Sequence, residues 1–484
     1  MLFNSLEFVI FFPCTVFFYF IIKDKYKNLW LLFTSYFFYM CWNPKYAALL
    51  AAATSAAYFS GLYLEQKERK KINLAIILLI IFSGLIYFKY TNFFIEQLNC
   101  IRQILGKKPK RELDIILPVG ISFFTFQAAG YLIDVYKREI TAEKNFIRFA
   151  LFISFFPQLV AGPIERGKTL LNQFDKPKTF NPDRIFHGLV IMLWGFFLKI
   201  VIADRCAIIA DHCFEHYSDL NGIQLIAGAC AFSFQIYCDF MGYSTIARGG
   251  AKVLGINLTD NFRMPYFSPS IKEFWKRWHI SLSYWLRDYL YIPLGGSRGT
   301  KLLTYRNLLI TFMISGLWHG AGWNYVCWGG LHALYIITGE QLKTFNQKVL
   351  SFFKIDPKSV PFIVFKRIYI YFLAAFAWIF FRSQNVSAAV SYIRNCLNLE
   401  NIGLIFSDNI SALNIGINQR DFNILIFTLA ILFCVSLIRE IKKDAYIVFI
   451  KQAPIFRLMC YWVLLFLIIF SLGLSNREFI YFQF

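Results

Sequence analysis

Acidic residues are scarce in this chain. Its 484 residues carry 29 Asp and Glu against 50 Lys and Arg, a net charge of +21. In a soluble protein that excess would point to nucleic acid. Here the cations gather in short stretches between apolar runs, such as Lys23–Lys27, Gln66–Lys71 and Lys107–Arg111. That placement suits the positive-inside rule and anionic lipid headgroups instead. The first and third connecting segments are cationic and Asn43–Lys45 is nearly neutral, which predicts an external N-terminus. No Cys-x-x-Cys occurs among the eleven cysteines, so neither a disulfide framework nor a thiolate metal site is expected, and the thiols read as free and largely buried. No internal repeat and no low-complexity tract is visible. No Lys or Arg precedes the apolar run Leu6–Ile22 and no small-residue cleavage site follows it, so this run reads as a retained first helix.

What the chain has in abundance is hydrocarbon. Hydrophobic residues make up 57% of it, with 56 Phe, which excludes an ordinary soluble globule. Apolar runs at 6–22, 29–42, 46–64, 72–95, 115–136, 146–161, 185–203, 222–247, 303–318, 324–342, 362–381, 422–438 and 455–474 predict an all-α polytopic membrane protein with eleven to thirteen crossings, some of them re-entrant. The segments 96–113, 163–184, 204–221 and 248–300 are too polar to span, and are expected as interfacial or protein-enclosed pieces.

Histidine is rare as well, with six in all, and two of them stand out. Read as one continuous helix, Lys272–Tyr289 places Phe274, Trp278, Leu282, Trp285 and Tyr289 on an apolar face. Lys272, Lys276, His279, Ser283 and Arg287 fall on the opposite, polar face. His319 ends the mainly apolar run 303–318 and is bracketed by Gly316, Gly320 and Gly322. An ionisable residue in such a run is costly unless it is paired or faces a cavity, which makes function the default reading over a histidine satisfied by one backbone carbonyl, and nearby glycines let a ligand or another backbone approach closely. His332 lies 13 residues further on, about 220° away on an uninterrupted helix, and reads as structural. His212 and His216 fall one helical turn apart but lack a clear third ligand, so a polar interfacial segment is favoured over a zinc site and no metal is expected.

Several motifs carry a resemblance. Arg-Trp-His-Ile-Ser-Leu-Ser at 277–283, Leu-Arg-Asp-Tyr-Leu-Tyr-Ile-Pro-Leu-Gly-Gly-Ser at 286–297 and Gly-Leu-Trp-His-Gly-Ala at 316–321 are joined by Leu-Pro-Val-Gly-Ile-Ser-Phe-Phe-Thr-Phe-Gln at 117–127, Gln-Leu-Val-Ala-Gly-Pro-Ile at 158–164 and the terminal Phe-Ile-Tyr-Phe-Gln-Phe at 479–484. In this order they resemble the membrane-bound O-acyltransferase family, in particular its bacterial branch of alginate O-acetylation and teichoic acid D-alanylation. The likeness is dense from about 115 to 335, and the whole of 1–484 is expected to form one such domain. It departs from the pattern at Gly242-Tyr243-Ser244-Thr245, where an aspartate would follow the serine.

The resemblance implies tilted helices ringed around a central tunnel, with His319 as catalytic residue deep inside and His279 as its companion. It further implies an acetyl-CoA-like thioester donor on the cytoplasmic side, no permanently bound cofactor, an extracytoplasmic acetyltransferase or esterase-like partner, a polysaccharide acceptor and a place in the bacterial inner membrane. The chemistry agrees. Acyl transfer to a hydroxyl needs a base and an oxyanion stabiliser, and an apolar setting favours the neutral imidazole that accepts a proton. Lys276, Arg277, Trp278, Ser283, Arg287 and Trp318 are the candidate substrate-binding residues. For the cations, ordinary snorkelling to lipid phosphates competes with donor binding. No nucleophile signature adjoins His319, so direct transfer is expected over an acyl-enzyme. A non-catalytic transporter, and acylation of a lipid or protein by the same histidines, are the alternative functions.

Overall fold

Helices and the turns between them account for the described secondary structure, and no strand occurs among the described residues. The computed structural model describes residues 1–66, 70–398, 413–442, 445–473 and 479–480. Of the terminal motif, residues 481–484 therefore lie outside the described residues.

The longer helices are α1 (Leu6–Ile21), α2 (Lys27–Met40), α3 (Pro44–Gln66), α4 (Lys71–Ile104), α5 (Ile121–Tyr136), α6 (Phe146–Ser154), α7 (Pro182–Glu215), α8 (Gly222–Val253), α9 (Ile271–Arg277), α10 (Ile280–Leu286), α11 (Lys301–His319), α12 (Trp323–Gln341), α13 (Val360–Arg382), α14 (Val386–Cys396), α15 (Gln419–Lys442) and α16 (Pro454–Ser471). Seven of these, α3, α4, α7, α8, α13, α15 and α16, are long and apolar enough to cross a membrane. The chain is a multi-pass helical membrane protein. Other apolar runs give shorter helices: α1 and α5 have 16 residues each and α6 has nine. At 1.5 Å per residue a 16-residue helix is only about 24 Å long.

By internal contacts the chain forms two compact units, Met1–Met192 with Tyr243–Asp260, and Leu193–Gly242 with Asn261–Phe484. The first holds two of the sequence motifs, and they interlock. Gly120 adopts φ +77°, and a Cβ there would lie 2.6 Å from the Leu159 carbonyl oxygen, so a side chain would force the two motifs apart. The Gln127 and Gln158 amides both donate to the Phe152 carbonyl at 2.7 Å. Tyr39 on α2 donates its hydroxyl to the Val119 carbonyl at 3.0 Å. Burial pushes the Glu165 carboxyl up from its ordinary value, while hydrogen bonds from Thr259 and Thr169 oppose the shift. Thr245, where an aspartate was expected, is half-buried, and nothing in the structure explains the substitution.

The second unit resolves the polar stretch 204–221. Its first part, 204–215, continues α7 as helix and is largely enclosed by protein, one of the two expected settings. The helix carries its charges inside because they are paired. Lys199, in a widened π-helical turn at Phe197–Ala203, places its ammonium 3.0 Å from both Asp204 and Asp239. Arg205 donates to Asp421 at 3.1 Å, to the Val201 carbonyl at 3.0 Å and to the Ser471 hydroxyl at 2.9 Å, which ties α7 to α15 and α16. Asp239 also accepts the Ile480 backbone N–H at 2.8 Å. The charges that disqualify 204–221 as a span in isolation are thus neutralised by residues distant in sequence.

Candidate active site

His279 does not sit on a continuous helix. The helical reading of 272–289 breaks at Trp278, which is extended, and at His279, which adopts φ +40° and ψ +57°. A non-glycine residue in this left-handed region carries local strain, and such residues concentrate at functional sites. Asn261 secures the break. Its carbonyl accepts the Ile280 N–H at 3.0 Å and its side-chain oxygen accepts the Ser281 N–H at 3.3 Å, so two of the first N–H groups of α10 are satisfied. Asn261 is itself buried, as the cap of an interior helix end must be.

Phe274, Trp278 and Leu282 are buried and Lys272, Lys276 and Arg287 exposed as the two-face pattern predicts, but the pattern fails at His279, which turns inward. Its ring is fully buried, 4.6 Å from Phe240 edge to face, 5.8 Å from Trp318 and 6.2 Å from His319, all between ring centroids. These ring neighbours are all aromatic. Because 261–300 lies outside the seven spanning helices, the imidazole can be compared with its ordinary state: burial alone pushes it down to about 3.

His319 arrives from the other direction as the last residue of α11. The chain turns through Gly320–Gly322 into α12, and the two helices pack as a close hairpin. A Cβ on Gly316 would lie 2.1 Å from the Tyr325 carbonyl oxygen, and one on Gly329 would lie 2.1 Å from that of Phe312. Only glycine permits this approach, and it sets the position of the His319 ring. That ring lies 4.9 Å from Trp318, 5.1 Å from Trp328 and 5.3 Å from Phe381, each edge to face. Trp278, Trp328 and Trp378 complete the enclosure, with Trp278 and Trp378 4.9 Å apart and Trp328 and Trp378 5.4 Å apart.

The remaining candidates are divided. Trp278 and Trp318 belong to the aromatic enclosure. Ser283 donates to the Trp278 carbonyl at 3.2 Å and so supports the break. Arg277 is engaged by Glu440 at 2.8 Å and Glu273 at 3.2 Å. Lys276 is exposed with its ammonium 3.6 Å from Glu273, and Arg287 is exposed, paired with Asp288 at 2.6 Å and stacked over Tyr284. The structure thus brings His279, His319, Trp278 and Trp318 together and leaves Lys276 and Arg287 facing outward. His212 and His216 stack on each other and direct ring nitrogens to the Asn414 and His212 carbonyls. Among the described residues no group of three or more His, Cys, Asp and Glu side chains is arranged to hold a metal ion.

His332 corrects an expectation. The 220° separation assumes an unbroken helix, but the turn at 320–322 folds α12 back along α11. His332 and His319 consequently face the same indole: His332 lies 5.2 Å from Trp328. Phe240, Asn261, Trp328, Trp378 and Phe381 were not singled out from the sequence. The four aromatics are ordinary core residue types and Asn261 carries no local motif, so only the tertiary fold collects them.

His279 and His319 thus form a buried pair in an aromatic shell within a multi-pass helical protein. Residues 18–382 match the membrane-bound O-acyltransferase family. The chain belongs to that family and is an O-acyltransferase. It is 38% identical over 396 residues to a probable alginate O-acetylase of Azotobacter vinelandii, covering 80% of this chain and 76% of the relative. It is 37% identical over 439 residues to the peptidoglycan O-acetyltransferase of Helicobacter pylori, covering 84% and 81%. A teichoic acid D-alanyltransferase of Bacillus subtilis is more distant, 28% identical over 247 residues, with 49% and 62% covered.

One expected result arises from the buried His279. Its folded-state imidazole stays neutral down to about pH 3, whereas an unfolded histidine binds a proton below about pH 6.5. Below 6.5 the unfolded state therefore gains protons that the folded state does not, and stability falls with pH. At pH 5 this cost is about 2 kcal/mol. His279→Gln removes it, so the fall in Tm between pH 7 and pH 5 should be smaller in the variant than in the wild type. Equal acid sensitivity of the two proteins would contradict the buried neutral ring.

Proposed function

We propose that this protein moves an acyl group, acetyl above all, from a cytoplasmic coenzyme A thioester across the membrane for O-acetylation of an extracytoplasmic polysaccharide, and that it does so in the bacterial inner membrane. The observation that carries the reading is the meeting of His279 and His319, two buried rings 6.2 Å apart inside an aromatic shell. Relatives named for alginate and peptidoglycan O-acetylation, matched over most of their length, support acetyl as the group and polysaccharide as the acceptor class.

In this reading His319 is the general base. It takes the proton of the acceptor hydroxyl as the oxygen attacks the thioester carbonyl; the C–S bond breaks, and the thiolate leaves with that proton. His279, held neutral, keeps an N–H that can orient the acceptor or donate to the developing oxyanion without adding charge to a dry site. The aromatic shell excludes water that would otherwise hydrolyse the thioester. Arg277, Ser283 and Trp278 shape the turn that presents His279, while Lys276 and Arg287 are positioned to meet phosphates, of the donor or of lipid. The donor is a substrate and no cofactor is bound permanently. An extracytoplasmic acetyltransferase or esterase-like protein hands the group to the final polymer.

Membranes containing the protein, given acetyl-CoA labelled in the acetyl group, should pass label to alginate-type or peptidoglycan-type polymer in the presence of the external partner. Label should not move from free acetate. Uptake of label without formation of an O-acetyl ester would instead favour a transporter, and label in lipid or protein alone would redirect the acceptor assignment.

A further inference from the structure

His332 is fully buried on α12, and one of its ring nitrogens is accounted for. Trp275 donates its indole N–H to His332 Nδ1 at 3.3 Å. An accepting Nδ1 carries no proton, so the neutral ring holds its proton on Nε2. That N–H has no hydrogen-bond partner among the described residues. Nor have the indole N–H groups of Trp328 and Trp278, which are equally buried. A buried donor without an acceptor costs about 1–3 kcal/mol, so native interiors rarely keep one without reason. Here three occur in one ring cluster. His332 lies 5.2 Å from Trp328, Trp328 lies 5.1 Å from His319, and Trp278 joins through Trp378.

Orphaned donors beside a general base match the needs of acyl transfer. The thioester carbonyl oxygen gains negative charge as the hydroxyl attacks, and it needs N–H groups that are fixed beforehand and shielded from water. Trp275 supplies the fixing. It sets the His332 tautomer, which places a hydrogen on the nitrogen that has no partner of its own, and the stacked Phe274, 6.0 Å away with its plane within 4°, holds the ring orientation.

We propose that His332 Nε2–H, assisted by the Trp328 indole N–H, binds the acyl carbonyl oxygen of the donor and stabilises the oxyanion formed during transfer. This rests on the acyl-transfer reading above. His332 gives up no proton: the hydroxyl proton passes to His319 and then to the departing thiolate, and the oxyanion collapses as the C–S bond breaks.

The test uses the full-length protein in membranes with acetyl-CoA. His332→Phe keeps the ring volume and removes the donor, and should lower kcat about 10²–10³-fold with KM for acetyl-CoA little changed. His332→Gln restores an N–H and should recover at least tenfold of that loss, which a purely structural role would not require. Full activity of a folded His332→Phe protein, while the wild type transfers acetyl normally, overturns the assignment and leaves the acyltransferase reading intact. If His332→Phe does not fold, infrared spectra of acetyl-CoA carrying ¹³C at the carbonyl, bound to the wild type, decide the matter. A carbonyl stretch moved to lower frequency than in water is expected, and an unmoved or raised one contradicts it. A wild type that binds and transfers no thioester acyl group removes both readings together.

Discussion

Replacing His319 by alanine is expected to lower acyl transfer by about 10²–10⁴-fold, the range that loss of a positioned general base produces. The effect should fall on kcat more than on KM. In the proposed mechanism His319 acts on a proton in flight and contributes little to holding the thioester in the ground state. The ring also has a structural role, since it meets Trp318, Trp328 and Phe381 edge to face. Alanine leaves a cavity there, so a loss of activity alone is ambiguous. His319→Gln fills most of the space but cannot act as a base near neutral pH. Both variants should be comparably inactive while glutamine keeps a Tm closer to that of the wild type. Activity in His319→Gln within a few-fold of the wild type would remove His319 from the reaction.

Asp421→Ala is expected to cost about 3–5 kcal/mol of stability, because it leaves the Arg205 guanidinium buried without its carboxylate. Arg205 and Asp421 lie 216 residues apart and link α7 to α15, while the Ser471 hydroxyl brings in α16. Loss of one partner should therefore loosen contacts among three helices. Thermal unfolding in detergent measures it, and the double variant Arg205→Met, Asp421→Leu should recover much of the loss. A single variant as stable as the wild type would mean that water reaches the guanidinium.

Much of this was legible from residues alone. The class of protein follows from the apolar runs, and the two histidines are singled out by setting: one ends an apolar run among glycines, the other interrupts an aromatic and basic segment. What periodicity could not give is the left-handed residue at His279. A helical projection assumes uniform φ and ψ, and a single residue at φ +40° breaks that assumption at His279. His332 was misplaced by the same assumption, applied across the turn at 320–322. Asp204 and Arg205 disqualified their segment as a span because hydropathy counts each charge as unpaired, whereas their partners Lys199, Asp239 and Asp421 appear only in the folded chain. The aromatic shell is the least legible feature: in a chain with 56 Phe, no local signal distinguishes Phe240 or Phe381 from the others.

The most direct test of the central claim follows one acyl group in sealed, inside-out membrane vesicles that contain the protein, its external partner and lumenal polysaccharide. Acetyl-CoA labelled in the acetyl group is supplied outside, on the former cytoplasmic face, and O-acetyl ester is measured inside. Wild-type vesicles should accumulate labelled ester in the lumen, and vesicles with equal amounts of inserted His319→Gln protein should not. Lumenal ester formed at the same rate by both would contradict transfer through His319.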